Sequence, residues 1–164
     1  MSAPDPTTER LAGRFGASLS CGQAGGRTSV VAGKEVLRDL LLFLKTDELL
    51  GYTMLTDLFA VDRHGSDPRF EVVYLLNSLQ LKERLVVKVR LAEGEPVPTV
   101  SDIWRAAEWL EREAYDMFGL RFENHPDLRR ILTVEDFDGY PLRKDFPTEG
   151  FGFDAPFSVK MEEG

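Results

Sequence analysis

Between Glu111 and Pro147 the chain reads EREAYDMFGLRFENHPDLRRILTVEDFDGYPLRKDFP, and most of this stretch cannot be regular. Gly119 is a natural helix stop. Beyond it, Pro126, Gly139, Pro141 and Pro147 forbid any long helix or central strand. Such a segment must run as turns and extended pieces, held by side chains or by a partner. It contains one His, no Cys, no Ser and no Gly-rich phosphate loop. Dense, alternating charge without a nucleophile or a metal set suits a surface fitted to another protein better than a stand-alone catalyst.

The chain before this segment carries ordinary periodicity. Residues 1–16, rich in Pro, Thr, Gly and charge, predict a flexible N-terminal arm. Two short strands are expected around the turn signal Gln23-Ala24-Gly25-Gly26. Val36, Leu37, Leu40, Leu41 and Leu44 then fall at helical spacing. Three strands follow, over Tyr52–Val61, Phe70–Leu79 and Arg84–Leu91, with turn-like connections that favour antiparallel pairing. In the third, Leu85, Val87, Val89 and Leu91 alternate with Arg84, Val86, Lys88 and Arg90, so one face is buried and the other mainly wet. Ser101 or Asp102 is the expected N-cap of a second helix, with Ile103, Trp104, Ala107, Leu110, Ala114 and Met117 on one stripe. The pairs Glu108–Arg112 and Arg112–Asp116, each four apart, are expected along its polar face. The sum is an α+β domain over 17–147, a small mainly antiparallel sheet packed with helices. An irregular tail over 148–164 carries Phe151, Phe153 and Phe157 and is expected to dock on a partner.

Size and charge narrow the functional classes. At 164 residues one domain is expected, and a chain of this length buries roughly 70% of its unfolded surface without staples. A single cysteine, Cys21, excludes an internal disulfide and a cluster held by four thiolates of this chain alone. The net charge of −8 opposes binding to nucleic acid or directly to anionic lipid. No apolar stretch is long enough to span a bilayer, and MSAPDPTTER shows no secretory pattern. Any link to a membrane should pass through a protein partner.

Three groups of residues invite a chemical reading. His125 sits in Asn124-His125-Pro126-Asp127, but a lone His is poor evidence for a metal, which usually takes several protein ligands. The simpler reading is a ring held by a carboxylate or carbonyl to order the turn. A small metal-dependent hydrolase using His64, His125 and nearby acids stays as a distant alternative. Glu111 and Glu113 lie about 200° apart on a helix and cannot act as one carboxylate pair, whereas Glu113 and Asp116 share a face. Arg129-Arg130 and Arg143-Lys144 form two short basic clusters, suited to carboxylates of a partner. Trp104 and Trp109 are expected as core or interface anchors.

These residues also carry a resemblance. Glu111-Arg112-Glu113, Asp116-Met117-Phe118, His125 and Arg129 with Ile131-Leu132 fall at the spacing of a family signature. That family is the C subunit (30-kDa type) of proton-pumping NADH–quinone oxidoreductase, respiratory complex I. Pro141-Leu142-Arg143-Lys144-Asp145-Phe146-Pro147 is similar to the continuation of that signature. Asp62, the Arg69–Tyr74 strand and the Ser101–Trp109 approach match more weakly. The resemblance implies a non-catalytic assembly subunit of the peripheral arm, on the cytoplasmic face of the bacterial inner membrane. It would pack on the large hydrogenase-like quinone-site subunit and contact the membrane only through the complex. It implies no cofactor in this chain, with FMN, iron–sulfur clusters and quinone in partner subunits. It points to Glu111, Arg112, Glu113, Asp116, Phe118, His125, Arg129, Arg130, Arg143, Lys144, Phe146 and the three tail phenylalanines as interface residues. The runner-up is the equivalent subunit of a membrane-bound hydrogenase or ferredoxin-linked relative.

Overall fold

The computed structural model describes residues 6–148, so the expected tail with Phe151, Phe153 and Phe157 lies outside the described residues. Helix α1 (Pro6–Phe15) leads into the hairpin of β1 (Leu19–Ala24) and β2 (Arg27–Ala32). Gly25 and Gly26, at φ 57° and 74°, supply the two left-handed residues that a tight hairpin turn requires. Helix α2 (Lys34–Thr46) follows, then β3 (Met54–Asp62), β4 (Phe70–Ser78) and β5 (Glu83–Leu91) as an antiparallel meander. The sheet order is β1-β2-β5-β4-β3. The meander is as the turn chemistry predicts. The parallel join of β2 to β5 is the one connection that sequence spacing does not reveal, because α2 and two strands intervene.

Period-two alternation sorts the sheet into two faces. Phe70, Val72, Tyr74 and Leu76 pair with Leu91, Val89, Val87 and Leu85, and all eight are fully buried in the main core. Against them α2 lays Leu37, Leu40, Leu41 and Leu44, also fully buried. At about 2 kcal/mol per side chain, the four leucines contribute on the order of 8 kcal/mol, an upper figure because unfolded chains already bury some surface.

Two expectations need correction. Residues 6–16 are no loose arm: Pro6–Phe15 is helical and Leu11 is buried in the main core. Arg10 clamps Asp47, whose Oδ1 also accepts the N–H groups of Leu49 and Leu50, and Thr7 and Tyr52 share a buried hydroxyl contact of 2.9 Å. One apolar residue and two polar anchors outweigh a composition that favours fraying.

The last helix, α3 (Ala107–Phe118), starts later than expected. Asp102 does not cap it, because Arg38 on α2 takes both of its oxygens. Residues 101–106 are turns instead, stitched by the N–H groups of Ile103 and Trp104 to the Val100 carbonyl. The helix ends at Gly119, φ 75°, whose N–H closes on Tyr115 O. Two short strands, β6 (Val97–Pro98) and β7 (Phe122–Glu123), pair in parallel beside it.

Candidate functional site

Helix α3 is the organiser of the region beyond Gly119. Three of its charged side chains, Glu111, Arg112 and Asp116, are buried, while Glu113 faces solvent. The expected ladder along a polar face is therefore absent at Arg112 and Asp116. Both turn toward residues 127–133, because that irregular strand has no ladder of its own and its backbone groups need partners.

Asp116 supplies most of those partners. Its Oδ2 accepts the N–H groups of Ile131, Leu132 and Thr133 at 2.9, 2.7 and 3.0 Å. Its Oδ1 takes the Thr133 hydroxyl and Arg130 Nη1, the latter at 2.8 Å. Burial alone would raise this carboxyl, but the converging donors hold it far below the usual carboxylate range. Arg130 in turn donates through Nη1 to Thr133 Oγ1 and Asp116 O, and through Nη2 to the carbonyls of Phe137 and Gly139. Its guanidinium sits 5.4 Å from the Tyr140 ring centroid and 5.8 Å from that of Phe137. Arg112 donates to Arg129 O and Arg130 O and lies 4.9 Å from the Trp109 ring.

The far end is fastened by a second clasp. Arg69 grips Asp62 with two parallel hydrogen bonds, Nε to Oδ1 at 2.9 Å and Nη2 to Oδ2 at 2.8 Å. It also donates to Asp145 and Glu93. Asp62 Oδ2 accepts the Lys144 N–H at 2.9 Å, and the Arg69 fork brings the Asp62 carboxyl down to about 2. Arg143 donates to Phe118 O at 2.7 Å and to Glu93 at 2.6 Å, with its guanidinium 4.6 Å from the Tyr140 ring. Phe146 stacks on Phe137 at 5.9 Å.

On the other side of α3, Glu111 reaches inward. Its Oε1 accepts the Val100 N–H at 2.7 Å and its Oε2 lies 2.5 Å from Thr99 Oγ1. Thr99 Oγ1 is also 2.9 Å from Ser101 Oγ and has only one hydrogen to give. Thr99 Oγ1 donates to Glu111 Oε2, and this bond together with that from the Val100 N–H favours the ionised carboxylate. Burial, the dominant cause, pushes the Glu111 carboxyl up to about 7 against the two hydrogen bonds that oppose it. The His125 side chain is completely buried 3.8 Å away. Its Nδ1 accepts the Asp127 N–H at 3.1 Å, so Nε2 carries the hydrogen donated to Glu108 O at 3.0 Å. The ring is held by carbonyl and amide, as the simpler sequence reading expects.

The residues singled out from sequence thus divide. Glu111, Arg112, Asp116, His125, Arg130, Arg143 and Phe146 come together as internal fasteners, and Phe118 packs partly buried against the core. Glu113 is exposed, as is the Lys144 side chain. Arg129 points outward and pairs with Asp127 at 2.9 Å. The reading of Arg129-Arg130 as one cluster for a partner's carboxylates is corrected: Arg130 Nη1 and Nη2 both donate within this chain. Trp104 is buried with Nε1 donating to Thr53 O, whereas Trp109 is 60% exposed. Sequence reasoning assigns no role to Thr99 and Thr133, which carry no local signal. Arg69 and Asp62 have one, since opposite charges at the facing ends of two strands joined by a hairpin are placed to meet. Among the described residues, no group of three or more His, Cys, Asp or Glu is placed to hold a metal ion. His64 lies beside Asp62 and Asp145, apart from the neighbours of His125.

Fold and clasps together define an α+β domain whose buried charges bind its own irregular C-terminal stretch to α3 and the sheet edge. The family described as "Respiratory-chain NADH dehydrogenase, 30 Kd subunit" matches residues 30–152. A C subunit of the NADH-quinone oxidoreductase of Rhizobium meliloti is 46% identical over 86% of this chain and 78% of its own length. The C subunit of the same enzyme from Geotalea uraniireducens is 48% identical, covering 86% of each. Among solved structures, a trypsin-resistant fragment of Nqo5 aligns with TM-score 0.66 at 33% identity, over 74% of this chain and 99% of the fragment. A chain of the membrane-bound sulfane sulfur reductase, an archaeal respiratory membrane complex, aligns with TM-score 0.72 at 26% identity, over 86% and 84%. The chain belongs to the family of the 30 Kd subunit of respiratory-chain NADH dehydrogenase, and is thus a subunit of an oxidoreductase complex. No helix among the described residues is long and apolar enough to cross a membrane.

Proposed function

We propose that this chain is a non-catalytic assembly subunit in the peripheral arm of a proton-translocating NADH–quinone oxidoreductase. It carries no flavin, cluster or quinone. Electrons pass from NADH through FMN and iron–sulfur centres to quinone in partner subunits. The domain packs on the large hydrogenase-like subunit that holds the quinone site, on the cytoplasmic face of the membrane, and meets the membrane only through the complex. The observation that carries the reading is the fate of the motif charges. Arg112, Asp116, Arg130 and Arg143 each hydrogen-bond within the chain, and Glu111 is enclosed. Groups so engaged shape a surface and are not free to react.

The test is to tag the full chain in its host, solubilise membranes gently and identify what co-purifies. Recovery of flavin- and cluster-bearing subunits with NADH–quinone activity is the expected result, and a lone monomer refutes it. The likeness to a chain of a sulfane sulfur reductase complex favours a second reading, the equivalent subunit of a related membrane-bound machine such as a hydrogenase or a ferredoxin-linked complex. Co-purifying subunits without NADH oxidation would select it.

A further inference from the structure

The sheet has a second face that the main core does not use. Opposite Tyr74 and Val87, the register places Phe59, Val73 and Lys88 in one row and Leu75 and Val86 in the next. The apolar residues that α1, α2 and α3 send into the main core meet the other face. Val73 and Val86 lie outside that core cluster, although shielded by their neighbours, and Phe59 is 39% exposed. Around these apolar residues stand Arg63, Arg84, Lys88 and Arg90, against two acids, Glu71 and Asp57. A basic face on a chain of net charge −8 is a segregation of charge, not an average.

The cations there are short of partners. Glu71 Oε1 accepts from Arg63 Nη2 at 3.0 Å, while Lys88 Nζ stands 3.6 Å from the same oxygen. Arg90 Nε is 3.5 Å from Oε2, which is buried and has no hydrogen bond. Three cations share one carboxylate, and Arg84 makes no salt bridge among the described residues. Opposite-charge surfaces choose and orient each other in this way. The three nine-residue strands β3, β4 and β5, about 4.8 Å apart and ~30 Å long, offer roughly 430 Å², about half of the ~800 Å² per partner that a standard interface buries.

We propose that this face docks an acidic surface of a neighbouring subunit, one that seats apolar side chains over Phe59, Val73 and Leu75 and brings carboxylates to Arg63, Lys88 and Arg90. The proposal rests on the chain being a subunit of a larger complex. It goes beyond that reading in naming the sheet face that begins at Phe59, beside Glu113, Met117 and Phe118 of α3, and the chemistry of what covers it.

A photoreactive phenylalanine analogue at position 59 of the tagged full chain, irradiated in membranes, identifies the occupant. The expected result is a cross-link to another subunit, in a peptide with more Asp and Glu than Lys and Arg. Arg84→Glu with Arg90→Glu should lower recovery of partner subunits at least tenfold while the purified variant keeps its far-ultraviolet spectrum. If the double variant misfolds, Arg84→Glu alone is scored, since it breaks no salt bridge among the described residues. A cross-link to residues 149–164 of the same chain, to a second copy or to a basic peptide overturns the proposal, as does undiminished recovery. If the unsubstituted chain recovers no partners at all, the subunit reading fails first and this inference falls with it. Normal recovery for the unsubstituted chain with no effect of charge reversal removes only the inference.

Discussion

Replacing Asp116 with Ala should release residues 127–140 from α3 and leave the sheet intact. The carboxylate accepts three backbone N–H groups, one hydroxyl and one guanidinium N–H, and is fully buried. Hydrogen bonds to a charged group are worth about 1.5–3 kcal/mol each, but water can replace part of that at a loop. The firmer figure comes from Arg130, only 14% exposed, which loses its counter-charge. Stripping one side of a buried pair costs about 3–5 kcal/mol, against a typical total stability of about 5–15 kcal/mol. Asp116→Asn keeps the shape and one accepting oxygen, but sets an amide N–H against Arg130 Nη1. It should cost less, on the order of 2–3 kcal/mol. Native-state hydrogen exchange read residue by residue is the assay. The amides of Ile131, Leu132 and Thr133 should lose protection by about 10²-fold or more, while those of β4 and β5 change far less. Unchanged protection at those three amides, or a loss spread evenly over the sheet, would refute the assignment of Asp116 as a local fastener.

Arg129→Glu should leave the thermal midpoint within a degree or two, because the side chain is 64% exposed, whereas Arg130→Glu should destabilise by at least ~3 kcal/mol; equal effects would contradict the division between them. Gly119→Ala combines a left-handed φ of 75° with a Cβ that would lie 2.5 Å from Tyr140 Cε2, so a loss of roughly 2–3 kcal/mol in urea unfolding is expected. For Glu111 the folded carboxyl titrates at about 7 against 4.5 for the free group. The folded state therefore holds a proton that the unfolded state has lost, and stability falls as pH rises from about 4.5 to about 7, by roughly 3 kcal/mol. Glu111→Gln should flatten that slope, and an unchanged slope would show that another group causes it. Asp62 has the opposite sign: its carboxyl, at about 2, contributes stability above pH 3.8 that disappears as pH falls toward 2, and Asp62→Asn should remove that acid dependence from a denaturation series.

The sheet and α2 are legible in the sequence because their signals are local: apolar residues at period two or 3.6, bounded by Gly, Pro and Asp. The parallel pairing of β2 with β5 is not, since Val30 and Val87 lie 57 residues apart with α2, β3 and β4 between them. The segment after Gly119 reads correctly as irregular and in need of side-chain support. What supports it is harder to place, because helical spacing assigns charge to a wet face by default. Arg112 and Asp116 obey the spacing and still face inward, since unsatisfied backbone groups of residues 129–133 are the stronger claimant. Glu111 stands out in the sequence, but its raised carboxyl comes from enclosure in the fold, and nothing in the local sequence ties it to Thr99 and Val100, whose hydrogen bonds oppose that rise. The start of α1 is hidden for a similar reason: Thr7 and Arg10 find Tyr52 and Asp47, far along the chain.

Two of the clasps, Arg143 to Glu93 and Asp62 to Lys144, tie the irregular stretch to the sheet edge, while Asp116 to Leu132 spans only 16 residues. The two ties to the sheet edge can close only once that edge is built, so they belong to the final steps of folding. The sheet and its leucine helix can be complete while the stretch beyond Gly119 is still searching. A newly made chain is then vulnerable to proteases for as long as that search lasts, and cleavage between Gly119 and Lys144 would mark molecules caught before closure. Since each fastener ties down several backbone groups at once, the segment should lock in one step, giving the cell a sharp boundary between chains ready to be incorporated and chains that are not.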